Sequence, residues 1–182
     1  MRSTALAWAL ALALPALALA GCGGATPAAA RSSTPWQRYQ APGAGYAVDY
    51  PGRPEEVAND KDGSNMQLSM YGDNRGKRML GVVSVSADKL HTDSSDLLFG
   101  AMGAELSKMF QCNAGPAQDL VLDGRRARDF ELTHQDRPSV RGKGRLLLDA
   151  DKGRLYFIVM IAETDAGRAD LARFFASLTL TE

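Results

Sequence analysis

Short stretches of alternating apolar and polar side chains recur along the chain, which is the pattern of β-strands with one buried face. Strands are predicted at residues 45–50, 66–71, 80–87, 120–122, 125–133, 139–148 and 154–163. Asp123-Gly124 predicts a two-residue hairpin turn, because both positions of such a turn need positive φ. Residues 155–162 (LYFIVMIA) contain no polar side chain, so we expect this strand to be covered on both faces.

Two other segments have the spacing of helices. Between residues 94 and 110, apolar side chains recur at intervals of three and four: Leu98, Ala101, Met102, Leu106 and Met109. Gly100 and Gly103 weaken this helix, so packing against the rest of the fold must hold it. A second helix is predicted at 165–176 and a closing strand at 177–181. The order predicts an antiparallel α+β fold, a sheet of about six to eight strands flanked by two main helices in an α/β/α sandwich.

The amino terminus has the pattern of a secretion signal. Arg2 precedes an apolar run from Ala5 to Ala20 that Pro15 interrupts and that is shorter than a membrane-spanning helix requires. Leu19-Ala20-Gly21-Cys22 resembles the lipobox of bacterial lipoproteins, in which small residues fit the peptidase cleft and the cysteine thiol accepts diacylglycerol. The resemblance implies that Cys22 is lipidated and carries a further acyl chain such as palmitate. A soluble secreted protein is the alternative.

These patterns predict three regions: a lipoprotein signal peptide at 1–21, the lipidated cysteine and a flexible tether at 22–35, and one globular domain at 36–182. Two or more acyl chains give stable membrane anchoring where one gives only marginal binding. We therefore expect a protein of the bacterial cell envelope, anchored by lipid and facing the periplasm. Gly23 stands where an aspartate often marks inner-membrane retention, which favours the outer membrane.

Composition narrows the function classes. The chain has 182 residues, 21 basic and 21 acidic side chains and 45% hydrophobic residues, which are ordinary globular values. The absence of net positive charge argues against a nucleic-acid partner. Lipidation of Cys22 would leave Cys112 as the remaining cysteine, which excludes an intramolecular disulfide and suggests an inert thiol.

Several segments resemble proteins with the Mog1/PsbP-like fold. They are Gly45-Tyr46-Ala47-Val48-Asp49-Tyr50-Pro51, Leu122-Asp123-Gly124, Gly144-Arg145-Leu146, Arg154-Leu155-Tyr156 and Phe174-Phe175-Ala176-Ser177-Leu178. The resemblance implies an antiparallel sheet between helices and a binding role, since members of this fold bind proteins or hydrophobic ligands. No binding motif of those proteins is present, so the resemblance assigns no site residue.

Motifs for catalysis fail in their context. Ser86-Ala87-Asp88-Lys89 matches S-x-x-K but ends a strand, and Gly72-Asp73-Asn74-Arg75-Gly76-Lys77 is too short for a phosphate loop. Asp60-Lys61-Asp62-Gly63 and Asp149-Ala150-Asp151-Lys152-Gly153 lack the further ligands of a calcium loop. His91 and His134 have no partner at zinc-ligand spacing, and His134 is expected at a solvated strand end. We expect neither an enzyme nor a cofactor or metal.

One cluster of charge remains. Residues 125–154 contain nine basic and five acidic side chains, and Arg141, Lys143 and Arg145 alternate along one strand face. Arg126 and Arg128 join them if the two strands pair across Asp136. These five cations form a candidate patch for an anionic lipid, a glycan or an acidic partner. The alternative is a solvated or charge-protected strand.

These observations favour a membrane-anchored envelope lipoprotein with a non-catalytic binding or accessory domain. Its partner would be an envelope protein or an amphipathic or anionic ligand. An assembly or structural factor of an envelope complex is a second interpretation. A hydrolase would need a site assembled from distant residues, which a single sequence does not exclude.

Overall fold

A computed structural model describes residues 35–61, 64–73, 78–87 and 95–181, and all of these belong to one compact unit. The strands are β1 Gln37–Ala41, β2 Tyr46–Tyr50, β3 Glu55–Lys61, β4 Ser64–Gly72, β5 Arg78–Ala87, β6 Cys112–Leu122, β7 Arg125–His134, β8 Arg141–Asp149, β9 Arg154–Ala162 and β10 Thr179–Leu180. The helices are α1 Ser95–Met109, α2 Asp165–Arg168 and α3 Leu171–Ser177.

The strands form two antiparallel sheets. Seven strands pair in the order β3-β4-β5-β9-β8-β7-β6, and three short ones pair as β1-β2-β10. The apolar strand β9 lies in the middle of the larger sheet, and eight of its nine residues are buried. The continuous apolar run in β9 is explained as expected, because its side chains are buried on both faces of the sheet.

The two faces of the larger sheet are covered by different elements. On one face, here called the small-sheet face, Tyr156, Ile158 and Met160 pack against the three-stranded sheet and α3. On the opposite face, the helix face, Phe157 and Val159 pack under α1.

A hydroxyl network joins the two sheets across the small-sheet face. The Tyr46 hydroxyl lies 2.6 Å from Ser69 Oγ, and the Tyr50 hydroxyl donates to the Ser69 carbonyl at 3.0 Å. Burial raises the pKa of Tyr46 to about 12 and raises the pKa of Tyr50 as well. Because buried hydroxyls must be paired, this network fixes how the small sheet sits on the large one.

The predicted α+β fold is confirmed, and the structure adds detail to it. Strands β1 (QRYQA) and β3 (EEVANDK) were missed, because they are polar, largely exposed and lie at sheet edges. The layer on the small-sheet face combines the three-stranded sheet with α3. The helix predicted at 165–176 is divided at residues 169–170 into α2 and α3, and Gly167 lowers the helix propensity of α2.

Candidate functional site

The five basic residues proposed as one patch lie on two faces. Strands β7 and β8 do pair across Asp136, but the register places Arg128 opposite Leu146, whose side chain packs on the helix face. Arg145 lies opposite Asp129 instead, on the small-sheet face. Side chains alternate along a strand, so Arg126 shares the face of Arg128, while Arg141, Lys143 and Arg145 share the other. The structure therefore does not bring the five cations together.

On the small-sheet face, Asp129 neutralises the cations beside it. Arg145 donates from Nε and Nη2 to the two Asp129 oxygens at 2.6 and 2.9 Å, and Lys143 Nζ lies 2.5 Å from Oδ2. Burial raises the pKa of Asp129, but the bonds from Arg145 and Lys143 outweigh burial and hold it below its usual value. Both cations also lie over the Phe175 ring. They attach β8 to α3.

On the helix face, two aspartates neutralise the other pair. Arg128 donates to Asp119 from Nε at 2.6 Å and from Nη2 at 3.0 Å, and to Asp96 at 3.0 Å. Arg126 donates to the same Asp96 oxygen at 3.0 Å. Within the described residues, Arg141 is the one cation of the five without a carboxylate partner; its Nε donates to the Pro138 carbonyl. An anionic ligand would have to compete with three aspartates for the other four.

A groove opens on the helix face between α1, the edge strand β6 and the floor of β7. This helix-side groove has a volume of about 220 Å³. The residues that line it are mostly small: Phe99, Gly100, Gly103, Ala104, Ser107, Ala114, Gly115, Ala117, Arg128 and Phe130. Its lining is largely apolar, and Arg128 is its one charged member, so the groove is suited to an apolar group.

The glycines of α1 keep the groove open. A Cβ built on Gly100 meets no atom within 4 Å, and one on Gly103 meets only Leu146 Cδ1 at 4.0 Å. Glycine inside a helix costs roughly 0.5–1 kcal/mol relative to alanine. No close approach in the described residues requires glycine at position 100. In the sequence Gly100 and Gly103 indicated only a weak helix; their common helix face was the available signal for a groove.

Large exposed hydrophobic side chains concentrate on the same side of the molecule. Leu97 and Met109 of α1 are 76% and 52% exposed, and Val121 of β6 is 68% exposed. Val57 of β3 is 55% exposed and shares the helix face through its pairing with Leu68, but five strands separate it from β6. Three of these four side chains thus belong to the two elements that border the groove.

Of the remaining sequence candidates, Cys112 and His134 lie in the part of the chain that the structure describes. Cys112 is 1% exposed, and burial raises its pKa, while reactive thiols need a lowered one. His134 was expected to be solvated but is buried, because it pairs with Cys112 across β6 and β7. Residues 62–63, 74–77 and 88–94 lie outside the described residues, so His91 and parts of the S-x-x-K, phosphate-loop and calcium-loop candidates do too.

The anchor prediction also falls outside the described residues, because these begin at residue 35 and Cys22 precedes them. Among the helices that are described, none is long and apolar enough to span a membrane.

No protein-family model matches the sequence, and no curated protein matches it. The solution structure of the cyanobacterial PsbP protein CyanoP from Synechocystis sp. PCC 6803 is similar, with a TM-score of 0.54. The match covers 89% of this chain and 98% of that chain at 18% sequence identity. The chain therefore has a PsbP-like fold, as the sequence segments quoted above implied.

Proposed function

We propose that this protein is a non-catalytic binding module of the bacterial cell envelope, held at the membrane by lipid on Cys22, that engages a protein partner through the helix-side groove. The proposal rests on the open, apolar groove between α1 and β6 and on exposed Leu97 and Val121, which belong to the same two elements. Contiguous exposed apolar surface with a polar rim is typical of protein–protein interaction sites.

The size of the apolar surface favours a protein over a small ligand. A molecule that fills about 220 Å³ would occupy the groove but leave Leu97 and Val121 in water. A partner that inserts one apolar side chain and covers the surroundings would bury all of them. The rim has both charge signs, with Arg126, Asp96 and Asp119 exposed near the groove. This arrangement fits the apolar centre and polar rim of a protein interface.

The chemistry of the described residues fits a non-catalytic role. Within the described residues, no group of three or more histidine, cysteine or acidic side chains is placed to hold a metal. The thiol of Cys112 is buried and its pKa is raised, so it is a poor nucleophile.

The anchor rests on the lipobox-like sequence that ends at Cys22. Residues 22–35 are small or polar, and a flexible tether of this length reaches roughly 20 Å. The domain would thus stand just off the membrane surface, facing the periplasm, and could turn its groove toward a neighbouring envelope protein. The outer membrane is the preferred location, on the basis of Gly23.

A groove-filling substitution tests the proposed interface. In Gly100→Leu the new side chain would enter the open groove, whereas Gly100→Ala adds only a methyl group. Chemical cross-linking in native cells, followed by affinity capture, should recover one dominant partner with the wild-type protein and with Gly100→Ala. Recovery should fall at least tenfold with Gly100→Leu while the melting temperature is maintained. Equal recovery with Gly100→Leu would contradict the proposed groove.

The anchor is tested separately with Cys22→Ser. Membrane fractionation should find this variant in the soluble fraction and the wild type in the membrane fraction, because the acyl chains attach the protein to the membrane. Retention in the membrane without attached lipid would refute the lipoprotein proposal and leave the groove proposal intact.

A further inference from the structure

A second concave site lies at the end of the molecule where three segments meet. The turn between β1 and β2, the turn between β8 and β9, and Thr181 after β10 enclose an open cleft of about 710 Å³. Lys152 and Arg154 contribute two cations to its lining, and Gln40 and Thr181 contribute polar side chains. This cationic cleft is separate from the helix-side groove.

Neutral oxygen atoms hold both cations in place. Lys152 Nζ donates to the Thr181 carbonyl at 2.9 Å, and Arg154 Nη2 donates to the Gly43 carbonyl at 2.9 Å. The Tyr156 hydroxyl, which lies beside Gly45 as the Arg154 guanidinium does, donates to the Gly45 carbonyl at 3.2 Å. An ammonium has three donors and a guanidinium five, so donors remain on both groups. Carbonyl oxygens orient the cations without neutralising them.

No described carboxylate neutralises these two cations. The cleft lining contains no acidic residue, and no described aspartate or glutamate forms an ion pair with Lys152 or Arg154. Asp149 lies opposite Arg154 across β8 and β9, but it is buried and its ion-pair partner is Arg125, at 3.4 Å. Asp151 is exposed in the turn and does not line the cleft. Most of the other described cations, including four of the five in the predicted patch, form an ion pair with a carboxylate.

The backbone around Arg154 is shaped to admit its guanidinium. Gly45 has φ of +72°, and a Cβ built there would collide with Arg154 Nη1 and lie 3.0 Å from the Tyr156 hydroxyl. Glycine is required at position 45 both for this backbone conformation and for the space. The arginine is thus held in a defined position before any ligand arrives.

We propose that the cationic cleft binds a phosphate group through Lys152 and Arg154. A phosphate monoester carries about −1.5 to −2 charge at neutral pH, which matches two cations that no described carboxylate neutralises, and arginine bonds phosphate oxygens bidentately. Gln40 and Thr181 also line the cleft, and both residue types carry neutral hydrogen-bond donors. The phosphate belongs either to a soluble molecule or to a lipid headgroup, since the chemistry recognised is the same.

The test uses the full-length lipidated protein in phosphatidylcholine nanodiscs, observed by the amide NMR shifts of Gly43, Gly45 and Gly153. One arm adds inorganic phosphate at constant ionic strength maintained with chloride. The other arm includes phosphatidic acid in the nanodisc. A saturable shift in the first arm identifies a soluble phosphate, and a shift in the second arm alone identifies a headgroup. No shift in either arm would overturn the proposal.

Charge-removing variants decide whether the cleft is responsible. Lys152→Gln should weaken phosphate binding at least tenfold, and the double variant with Arg154→Gln should abolish it. Arg141→Gln removes a cation outside the cleft and should bind as the wild type does. Unchanged binding by Lys152→Gln, which bonds only to a carbonyl and should fold normally, would refute the site. Glu182 follows Thr181 in the sequence and is replaced in a further variant, Glu182→Gln. Amide shifts caused by this substitution, with no response to phosphate, would also refute the site.

Discussion

The two faces of the seven-stranded sheet are covered in opposite ways. On the small-sheet face, aromatic rings pack against one another: the ring centroids of Tyr50 and Phe174 are 5.5 Å apart, and those of Tyr46 and Tyr156 are 6.0 Å apart. The buried hydroxyls of Tyr46 and Tyr50 both contact Ser69. On the helix face, one helix with two glycines lies over the sheet and leaves a groove beside it. Large hydrophobic side chains remain exposed on the helix side.

This difference separates a structural face from a binding face. Paired hydroxyls and interlocked rings specify one arrangement, because any shift leaves a buried polar group without a partner. The helix face has space that its own residues do not fill, so an added side chain there meets little resistance. We expect substitutions on the small-sheet face to change stability, and substitutions around the groove to change binding.

The largest effect is expected for Phe174→Ala. Phe174 is fully buried between Tyr50 and Phe175, and removing a buried phenylalanine typically costs about 3–5 kcal/mol. Urea denaturation should show this loss, and Leu98→Ala, at a half-buried position of α1, should show a smaller one. A greater loss for Leu98→Ala would reverse the assignment of the structural face.

Alkaline pH should destabilise the small-sheet face next. Burial raises the pKa of Tyr46 from 10.0 to about 12, so the folded protein keeps a proton that the unfolded chain releases. Stability should be complete below pH 10 and fall between pH 10 and 12, by about 1.4 kcal/mol per pH unit for one such tyrosine. Denaturation at several pH values should show a flatter dependence for Tyr46→Phe. Constant wild-type stability across this range would contradict the account.

A pair of glycine substitutions should change stability in opposite directions. Gly45→Ala places alanine at a φ of +72°, which costs about 1–2 kcal/mol before its collision with Arg154 is counted. Gly100→Ala has open space and gains helix propensity, up to about 1 kcal/mol. Thermal denaturation compares the two directly. Destabilisation by both would mean that the helix face is as tightly packed as the small-sheet face.

The smallest stability effect is expected for Leu97→Ala. Leu97 is 76% exposed, and surface substitutions of this kind usually change stability by no more than about 0.5 kcal/mol. Affinity capture of the partner should nevertheless weaken, because Leu97 is an exposed apolar side chain of α1, the helix that lines one side of the groove. A large loss of stability with unchanged capture would make Leu97 part of the core.

Local sequence signals predicted the parts of the fold that depend on neighbouring residues. The apolar run of β9 indicated a strand buried on both faces, and Asp123-Gly124 forms the expected turn, with φ of 48° and 78°. The edge strands β1 and β3 carry no such pattern, because water covers much of their surface. Propensity and alternation do not identify a strand that is held mainly by its backbone pairing.

The sites depend on long-range register, which one sequence does not give. The basic patch was divided because β7 and β8 pair with Arg128 opposite Leu146, and Asp96, which pairs with Arg128, lies 32 residues earlier. The cationic cleft joins Arg154 to Gly43, 111 residues away. Lys152 and Arg154 were visible only as members of a basic segment, and nothing local showed that Asp149 pairs with Arg125 instead.

Site-specific photo-cross-linking in native cells shows directly whether a partner docks at the helix-side groove. A photoreactive phenylalanine analogue would replace either Val121, on the strand β6 that lines one side of the groove, or Val57, which is similarly exposed but at the opposite edge of the sheet. We expect the analogue at position 121 to give one discrete protein adduct, which is lost when Gly100→Leu is also present. We expect no adduct from position 57. Equal adducts from both positions, or none from position 121, would contradict a binding face centred on the helix-side groove.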